Sequence, residues 1–204
     1  SFPINLNAFP PSKSTKAIRD ISNSFSIPKS DPGNIAKPTS FKILWHKLFP
    51  SEISLDLLIA LEKFINEGKI RYIGVSNVSL THVKMAEVET GIVAVQNALN
   101  IQHGANSEGL DYCTENQIPF IPWMPLGDGG IPWTEPILCK LARKYSVTPA
   151  QIALAALFHL SPMILPIPGT SSLKHLRENY AAAFIKLETA DLNSLYQRYR
   201  IKVM

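Results

Sequence analysis

A cluster of three hydroxyl residues near the end of the chain is the first feature whose spacing suggests chemistry. The stretch ILPIPGTSSLKHLREN, residues 164–179, passes from an apolar segment through Pro168-Gly169 to Thr170, Ser171 and Ser172, and then into a helical pattern. Hydroxyls at such a place either cap the helix by ordinary turn chemistry or help its N-terminal N–H groups to hold an anion. The stretch alone leaves both interpretations open.

Polar and aromatic side chains also follow three other apolar segments. Ser76 and Asn77 follow RYIGV, Gln96 ends IVAVQ, and Trp123 ends IPFIPW just before the Gly-rich stretch 124–130. Amides and hydroxyls can hydrogen-bond a carboxamide, an indole can stack on a flat ring, and Gly-rich turns can present N–H groups to phosphates. A carboxamide, a flat ring and phosphates together describe a nicotinamide dinucleotide.

Each of these residues also has a purely structural interpretation. Ser76-Asn77 is typical of a turn into a helix, Gln96 can satisfy a buried backbone group, and Trp123 is an ordinary core residue. His46, which follows the apolar run FKILW, is by itself more typical of a structural histidine. The prediction of a site therefore depends on whether these residues meet at one place.

Short apolar segments alternate with amphipathic helices from residue 41 onward. Strands are predicted at 41–45, 71–75, 92–96, 118–123 and 163–167, and helices at 54–68, from 79, and at 107–116, 135–145, 148–160, 172–184 and 190–199. This alternation indicates an α/β fold with parallel strands, either an incomplete (β/α)8 TIM-type barrel of about five units or an open doubly wound sheet. In both architectures the site lies beyond the carboxyl ends of the strands.

The chain divides into two regions of different composition. Residues 1–40 form an irregular segment rich in Pro, Ser, Asn and Lys, with one short helix predicted in STKAIRDISNSFS, and residues 41–204 form the partial barrel. Such a barrel has two open sheet edges, which are a pairing hazard. We expect residues 1–40 to cover an edge, or an oligomer or partner chain to complete the sheet; otherwise the isolated chain is only marginally stable.

Composition excludes several classes of function. The net charge is +4, but the basic residues are scattered and form no stripe, so nucleic acid is not an expected partner, whereas an anionic small molecule is compatible with the charge. No apolar run approaches the ~20 residues that a membrane helix needs, and no secretory signal is visible. Cys113 and Cys139 have no metal-binding or redox spacing and lie in predicted helices. These features predict a cytoplasmic protein without a metal site.

At these motifs the chain resembles the aldo-keto reductase family. The matching motifs are, in order, GKIRYIGVSN (68–77), VAVQN (93–97), IPFIPWMPLG (118–127), VTPAQIALA (147–155) and ILPIPGTSSLKHLREN (164–179). The resemblance implies a (β/α)8 barrel without a Rossmann domain, of which this chain matches the C-terminal portion. It also implies NADPH-dependent reduction of a small-molecule carbonyl, an aldehyde or a ketone, to an alcohol.

The resemblance also assigns residues to the cofactor. It implies that Ser76, Asn77 and Gln96 bind the nicotinamide carboxamide, that Trp123 stacks on the nicotinamide, and that Leu126 and Gly127 lie beside the pyrophosphate. The adenosine-phosphate loop then comprises Gly169, Thr170, Ser171 and Ser172, with His175, Glu178 and Asn179 on the following helix. Some branches of the family have a Lys at 169 and an Arg at 175; without them a bidentate grip on the 2′-phosphate is lost, so NADPH is preferred over NADH only moderately.

The resemblance implies one catalytic residue, His46, which orients the substrate carbonyl through a hydrogen bond. The family's Tyr proton donor, with its Lys and Asp, comes from elements that precede residue 41, and residues 1–40 contain no Tyr. A general acid contributes roughly 10²–10⁴-fold in rate.

Three hypotheses follow: a reductase, a non-catalytic dinucleotide-binding or regulatory module of the same fold, and a phosphate-binding β/α enzyme of other chemistry. The combination of Gln96, Trp123 and Ser76-Asn77 argues against the third.

Overall fold

The computed structural model describes residues 55–102, 107–127 and 129–201. The predicted strand 41–45, the segment 1–40 and His46 lie outside these ranges. The described elements are two short strands and seven helices: α1 Leu55–Asn66, β1 Gly74–Ser76, α2 Leu80–Thr90, β2 Ala94–Gln96, α3 Ser107–Glu115, α4 Pro136–Tyr145, α5 Pro149–Phe158, α6 Leu173–Ala182 and α7 Thr189–Tyr199. Every predicted helix within the described ranges is present, with ends shifted by a few residues at most.

Local sequence explains where these helices begin and end. Thr148 and Gln151 form the predicted capping box at the start of α5, with Pro149 in the first turn. Ser79 caps α2, and its side chain accepts a hydrogen bond from His82 N. Gly91 ends α2 at a φ of +63°, a conformation that glycine adopts without strain.

The strands pair in parallel and in chain order. β1 pairs with β2, with Val75 opposite Val95. Single parallel bridges then join Val95 to Phe120 and Phe120 to Ile164, so the segments around 120 and 164 are the third and fourth members of the row. Four consecutive parallel segments, each separated from the next by one or more helices, form the repeated β/α unit that the sequence predicts.

Regular pairing is shorter than predicted, and the corrections have local causes. Lys69 N and Ile70 N donate to Phe64 O and complete the end of α1, and the strand predicted at 71–75 pairs regularly as β1 only from Gly74. The strands predicted at 118–123 and 163–167 are reduced to isolated bridges. Pro119, Pro122 and Pro166 have no N–H group, and a ladder cannot be continuous where donors are missing.

The core lies between this row of strands and the helices. Val75, Val95, Phe120 and Ile164 occupy equivalent positions along the row, and each is less than 7% exposed. Residues 151–157 of α5 are all buried, as expected for a helix that is covered on every side. The packing of these side chains therefore fixes how far each strand extends relative to its neighbours.

Apolar side chains remain exposed at the last segment of the row. Leu165 is 56% and Ile167 46% exposed. Apolar side chains along α6 and just beyond it are exposed as well, namely Leu173, Leu176, Tyr180 and Phe184. This is one edge of the row of strands at which the sequence predicts a covering segment or partner. That covering remains a prediction.

The described helices are short. The longest, α1, has 12 residues, and none in the described ranges has both the length and the apolar character needed to span a membrane.

Candidate functional site

Ser76, Asn77 and Gln96 lie side by side at the carboxyl ends of the first two strands. Ser76 pairs with Gln96 in the register of the two strands, and Asn77 N donates to Gln96 O over 3.0 Å. Asn77 Nδ2 donates to Ser76 Oγ over 3.2 Å. Ser76 is buried, whereas the other two side chains are half-buried. The sheet register thus brings together the three residues predicted to bind a carboxamide.

Trp123 continues this row on the third segment. Its backbone N–H donates to Asn97 O over 3.1 Å, and the segment bridges in parallel from Trp123 to Ala98, two residues beyond Gln96. Within the described part of the chain, the buried Trp123 Nε1 has no hydrogen-bond partner. Trp123 therefore ends its segment at the same edge of the row as Ser76 and Gln96.

A tight turn follows Trp123. Met124 has a φ of +53°, and Gly127 N donates back to Met124 O over 2.9 Å. Gly127 itself has a φ of +66°, and a Cβ at this position would lie 3.0 Å from Ile131 Cγ1. Leu126 is half-buried and packs against the core. Glycine is therefore favoured at 127 by both conformation and space.

The hydroxyl cluster that follows the fourth segment makes ordinary turn contacts. Ser172 N donates to Thr170 Oγ1 over 3.1 Å, and Ser172 caps α6 by accepting from His175 N over 3.4 Å. Gly169, Thr170 and Ser171 are exposed. Turn chemistry, the first of the two interpretations, is thus observed, and it leaves the exposed face of the loop free for an anion.

The three residues predicted on α6 occupy the first and middle turns of that helix. Glu178 and Asn179 are half-buried, and Glu178 lies 3.8 Å from Lys174 Nζ, whereas His175 is exposed. They are farther along the chain from the strand ends than the other predicted residues. The resemblance assigns these residues to the adenosine end of the cofactor, and that assignment remains a prediction.

Two buried asparagines next to the site were missed in the sequence. Asn97 and Asn100 are each 3% exposed, and both hydrogen-bond to loops that carry predicted site residues. The sequence does indicate that these amides need buried partners, because they lie in an apolar strand region. It does not indicate which groups those partners are.

Groups with shifted pKa values lie between helices, away from the strand ends. A hydrogen bond to Glu87 raises the pKa of Tyr112 to about 12 and joins α3 to α2. Burial raises the pKa of Cys113, and likewise that of Tyr196, to about 12. In the described ranges no three His, Cys, Asp or Glu side chains form a group that could hold a metal ion. At the strand ends, the residues predicted to meet the nicotinamide are uncharged amides, a hydroxyl and an indole.

Comparison with known proteins shows which family has this arrangement of strands. Residues 42–199 match the family model described as the aldo/keto reductase family. The chain belongs to the aldo/keto reductase family. The incomplete (β/α)8 barrel predicted from the sequence is therefore confirmed, since this chain corresponds to 53–56% of the structural relatives described below.

Two curated relatives illustrate the similarity. The chain is 37% identical over 148 residues to an uncharacterized oxidoreductase of Schizosaccharomyces pombe, covering 72% of this chain and 48% of that one. It is 36% identical over 191 residues to pyridoxine 4-dehydrogenase of Escherichia coli, covering 93% of this chain and 65% of that one. The chain thus spans about half to two thirds of the length of these relatives.

Solved structures of the family superpose on the same region. An aldo-keto reductase of Klebsiella pneumoniae in complex with NADPH has a TM-score of 0.63 at 27% identity, covering 76% of this chain and 56% of that one. An aldo/keto reductase of the same organism, in complex with NADP and acetate, has a TM-score of 0.61 at 28% identity, covering 70% and 53%. Nicotinamide dinucleotides are therefore cofactors of structural relatives of this chain.

The residues at the strand ends are compatible with such a cofactor. Gln96 is half-buried at the end of β2, and Trp123 Nε1 is a buried donor without a described partner. A Cβ added at Gly169 would meet nothing within 4 Å, so there is open space beside the hydroxyl loop. Amide and hydroxyl side chains at one end and an exposed Gly-hydroxyl loop at the other suit a molecule with a carboxamide and phosphates.

Proposed function

We propose that this chain is the cofactor-binding part of an NADPH-dependent reductase that converts an aldehyde or ketone to an alcohol. One observation carries the proposal: Ser76, Asn77, Gln96 and Trp123 lie next to one another at the carboxyl ends of three adjacent parallel segments. The NADPH and NADP complexes of the Klebsiella pneumoniae relatives support it.

In this proposal the chain's own residues hold and orient the cofactor. Gln96 and Asn77 bind the carboxamide together with Ser76, whose hydroxyl already accepts a bond from Asn77 and can donate another. Trp123 provides the flat face against the nicotinamide. A bound nicotinamide supplies the hydride for carbonyl reduction, and His46 orients the substrate carbonyl.

The hydroxyl loop holds the adenosine phosphate in the same proposal. Thr170 to Ser172 precede α6, whose N-terminal dipole stabilises an anion by ~0.3–1 kcal/mol. Leu126 and Gly127 lie beside the pyrophosphate, and Glu178 and Asn179 face the adenine. Because no Lys stands at 169 and no Arg at 175, we propose only a moderate preference for NADPH over NADH.

A non-catalytic dinucleotide-binding or regulatory module is the second candidate function. It is favoured by how three of the six tyrosines are used: the hydroxyls of Tyr112, Tyr145 and Tyr196 donate to groups on neighbouring helices, namely Glu87, Asp191 and Ala156 O. A tyrosine held in this way cannot act as a proton donor at the strand ends. Under this candidate the chain binds NADPH without turnover.

Titration of the full chain with NADPH, followed by tryptophan fluorescence, tests both candidates. Binding should quench the fluorescence, and Gln96→Ala should weaken binding about tenfold, while the exposed Gln197→Ala on α7 should leave it unchanged. Consumption of NADPH with aldehydes and ketones that is abolished by His46→Ala supports the reductase, and quenching without consumption supports the module. Equal affinity of the Gln96 and Gln197 variants, or no binding by the unaltered chain, would overturn the proposed site.

A further inference from the structure

The side chain of Asn97 links the ends of the first two strands. Val78 N donates to Asn97 Oδ1 over 3.0 Å, and Asn97 Nδ2 donates to Val78 O over 2.8 Å. Asn97 is 3% exposed, so these bonds form without competition from water. The amide thus engages one residue of the β1–α2 loop through both of its polar atoms.

This link holds a left-handed turn. Asn77, which precedes Val78, has a φ of +57°, a conformation that asparagine adopts more readily than most non-glycine residues. Its N–H donates to Gln96 O on one side, and Val78 is held by Asn97 on the other. The turn is therefore fastened to β2 at two consecutive residues.

Asn100 has an equivalent role at the end of the next segment. Its Nδ2 donates to Met124 O over 3.2 Å, and its Oδ1 accepts from Gln102 N over 2.9 Å. Met124 has a φ of +53° and directly follows Trp123. Asn77 and Met124 are the two left-handed non-glycine residues at these strand ends. Asn97 holds Val78, the neighbour of Asn77, and Asn100 holds Met124 itself.

We propose that Asn97 is a positioning residue of the cofactor site, acting on its nicotinamide end, and that Asn100 acts in the same way on the loop after Trp123. The inference rests on the proposed function and deepens it. Asn97 is 3% exposed and each polar atom of its side chain bonds to Val78, so we infer that it acts through the turn and not by contact with the cofactor. It holds Ser76 and Asn77 in register with Gln96, so that their side chains meet one carboxamide.

Two ligands separate positioning from general stability. NADPH has a nicotinamide, whereas 2′-phospho-ADP-ribose has the same phosphates and adenosine but no nicotinamide. Asn97→Ala in the full chain should weaken NADPH binding about tenfold and leave the affinity for 2′-phospho-ADP-ribose within about twofold. Asn100→Ala should weaken both ligands, because the 124–127 loop lies beside the pyrophosphate.

The control is Asn116→Ala, which also removes an asparagine amide that donates to a backbone oxygen, Tyr112 O, but at an exposed helix end. It should leave both affinities unchanged. Asn97→Asp keeps the acceptor for Val78 N but sets a buried carboxylate oxygen against Val78 O, so it should bind NADPH no more tightly than Asn97→Ala. A parallel loss of both ligands in Asn97→Ala would mean a merely structural role and would overturn the proposal.

Hydrogen exchange without any ligand gives an independent result. In Asn97→Ala the amides of residues 76–79 should exchange faster than in the unaltered chain, whereas those of α5 should not. Unchanged exchange at 76–79 would refute the link even if no ligand binds. If the unaltered chain binds neither ligand but exchange at 76–79 rises, the proposed function fails and Asn97 positions the turn without serving a cofactor.

Discussion

Replacing Gly127 by alanine should destabilise the chain more than replacing Gly129, although both glycines belong to the same loop and share a left-handed backbone. Gly127 has a φ of +66° and Gly129 one of +72°. A left-handed conformation costs an L-residue about 1 kcal/mol, and this cost is common to both variants. The two positions differ in the space around the new methyl group.

At Gly127 the added Cβ would lie 3.0 Å from Ile131 Cγ1 and 3.5 Å from Ile131 N, whereas nothing lies within 4 Å at Gly129. Ile131 is only 2% exposed and cannot swing into solvent. Overpacking of this kind costs ~1–3 kcal/mol. We therefore expect a loss of about 2–4 kcal/mol in the free energy of unfolding for Gly127→Ala and of about 1 kcal/mol for Gly129→Ala.

Urea unfolding followed by far-ultraviolet circular dichroism measures this difference. Gly169→Ala serves as a second control, because its φ is not left-handed and its surroundings are open, so its stability should hardly change. Equal losses for the Gly127 and Gly129 variants would show that the contact with Ile131 does not constrain the loop, and the steric reasoning would then be wrong.

Three further predictions concern the helices. Thr148→Ala removes the capping box of α5 and should lower the free energy of unfolding by about 1 kcal/mol, measured in the same urea assay; no loss would mean that packing alone fixes this end. Since burial raises the pKa of Cys113 to about 12, a disulfide reagent at mildly alkaline pH should modify Cys139 in the folded chain, and Cys113 only after unfolding; rapid modification of both thiols would contradict the buried position. Hydrogen bonds, chiefly from Lys144, lower the pKa of Asp191. The charged carboxylate therefore stabilises the fold fully above the ordinary pKa of an aspartate, about 3.9, and this contribution disappears as the pH falls through the lowered pKa. The stability difference between the unaltered chain and Asp191→Asn should accordingly shrink in acid, and a difference that does not change with pH would count against the ion pair.

Much of the helical framework could be predicted from the sequence because its signals are local. Thr148, Pro149 and Gln151 lie within four residues of one another, and their capping box needs no distant partner. The order of the parallel segments followed from the alternation of apolar runs and helices. The extent of pairing did not follow, because it depends on which neighbouring carbonyl each remaining donor meets, as where Ile121 N donates to Val95 O, and that register is set by tertiary packing.

The candidate site likewise combines features that follow from the sequence with features that depend on the tertiary structure. By itself the sequence determined the residue types at the strand ends, including Ser76, Gln96 and Trp123, since a parallel β/α pattern places every strand end at the same edge. Only the tertiary structure decided that Ser76 is paired with Gln96, that Asn97 holds Val78, and that Gly127 faces Ile131. These contacts join residues that are up to 20 positions apart in the chain or depend on the path of a loop. Their geometry is set by the packing of strands against helices, which no local pattern encodes.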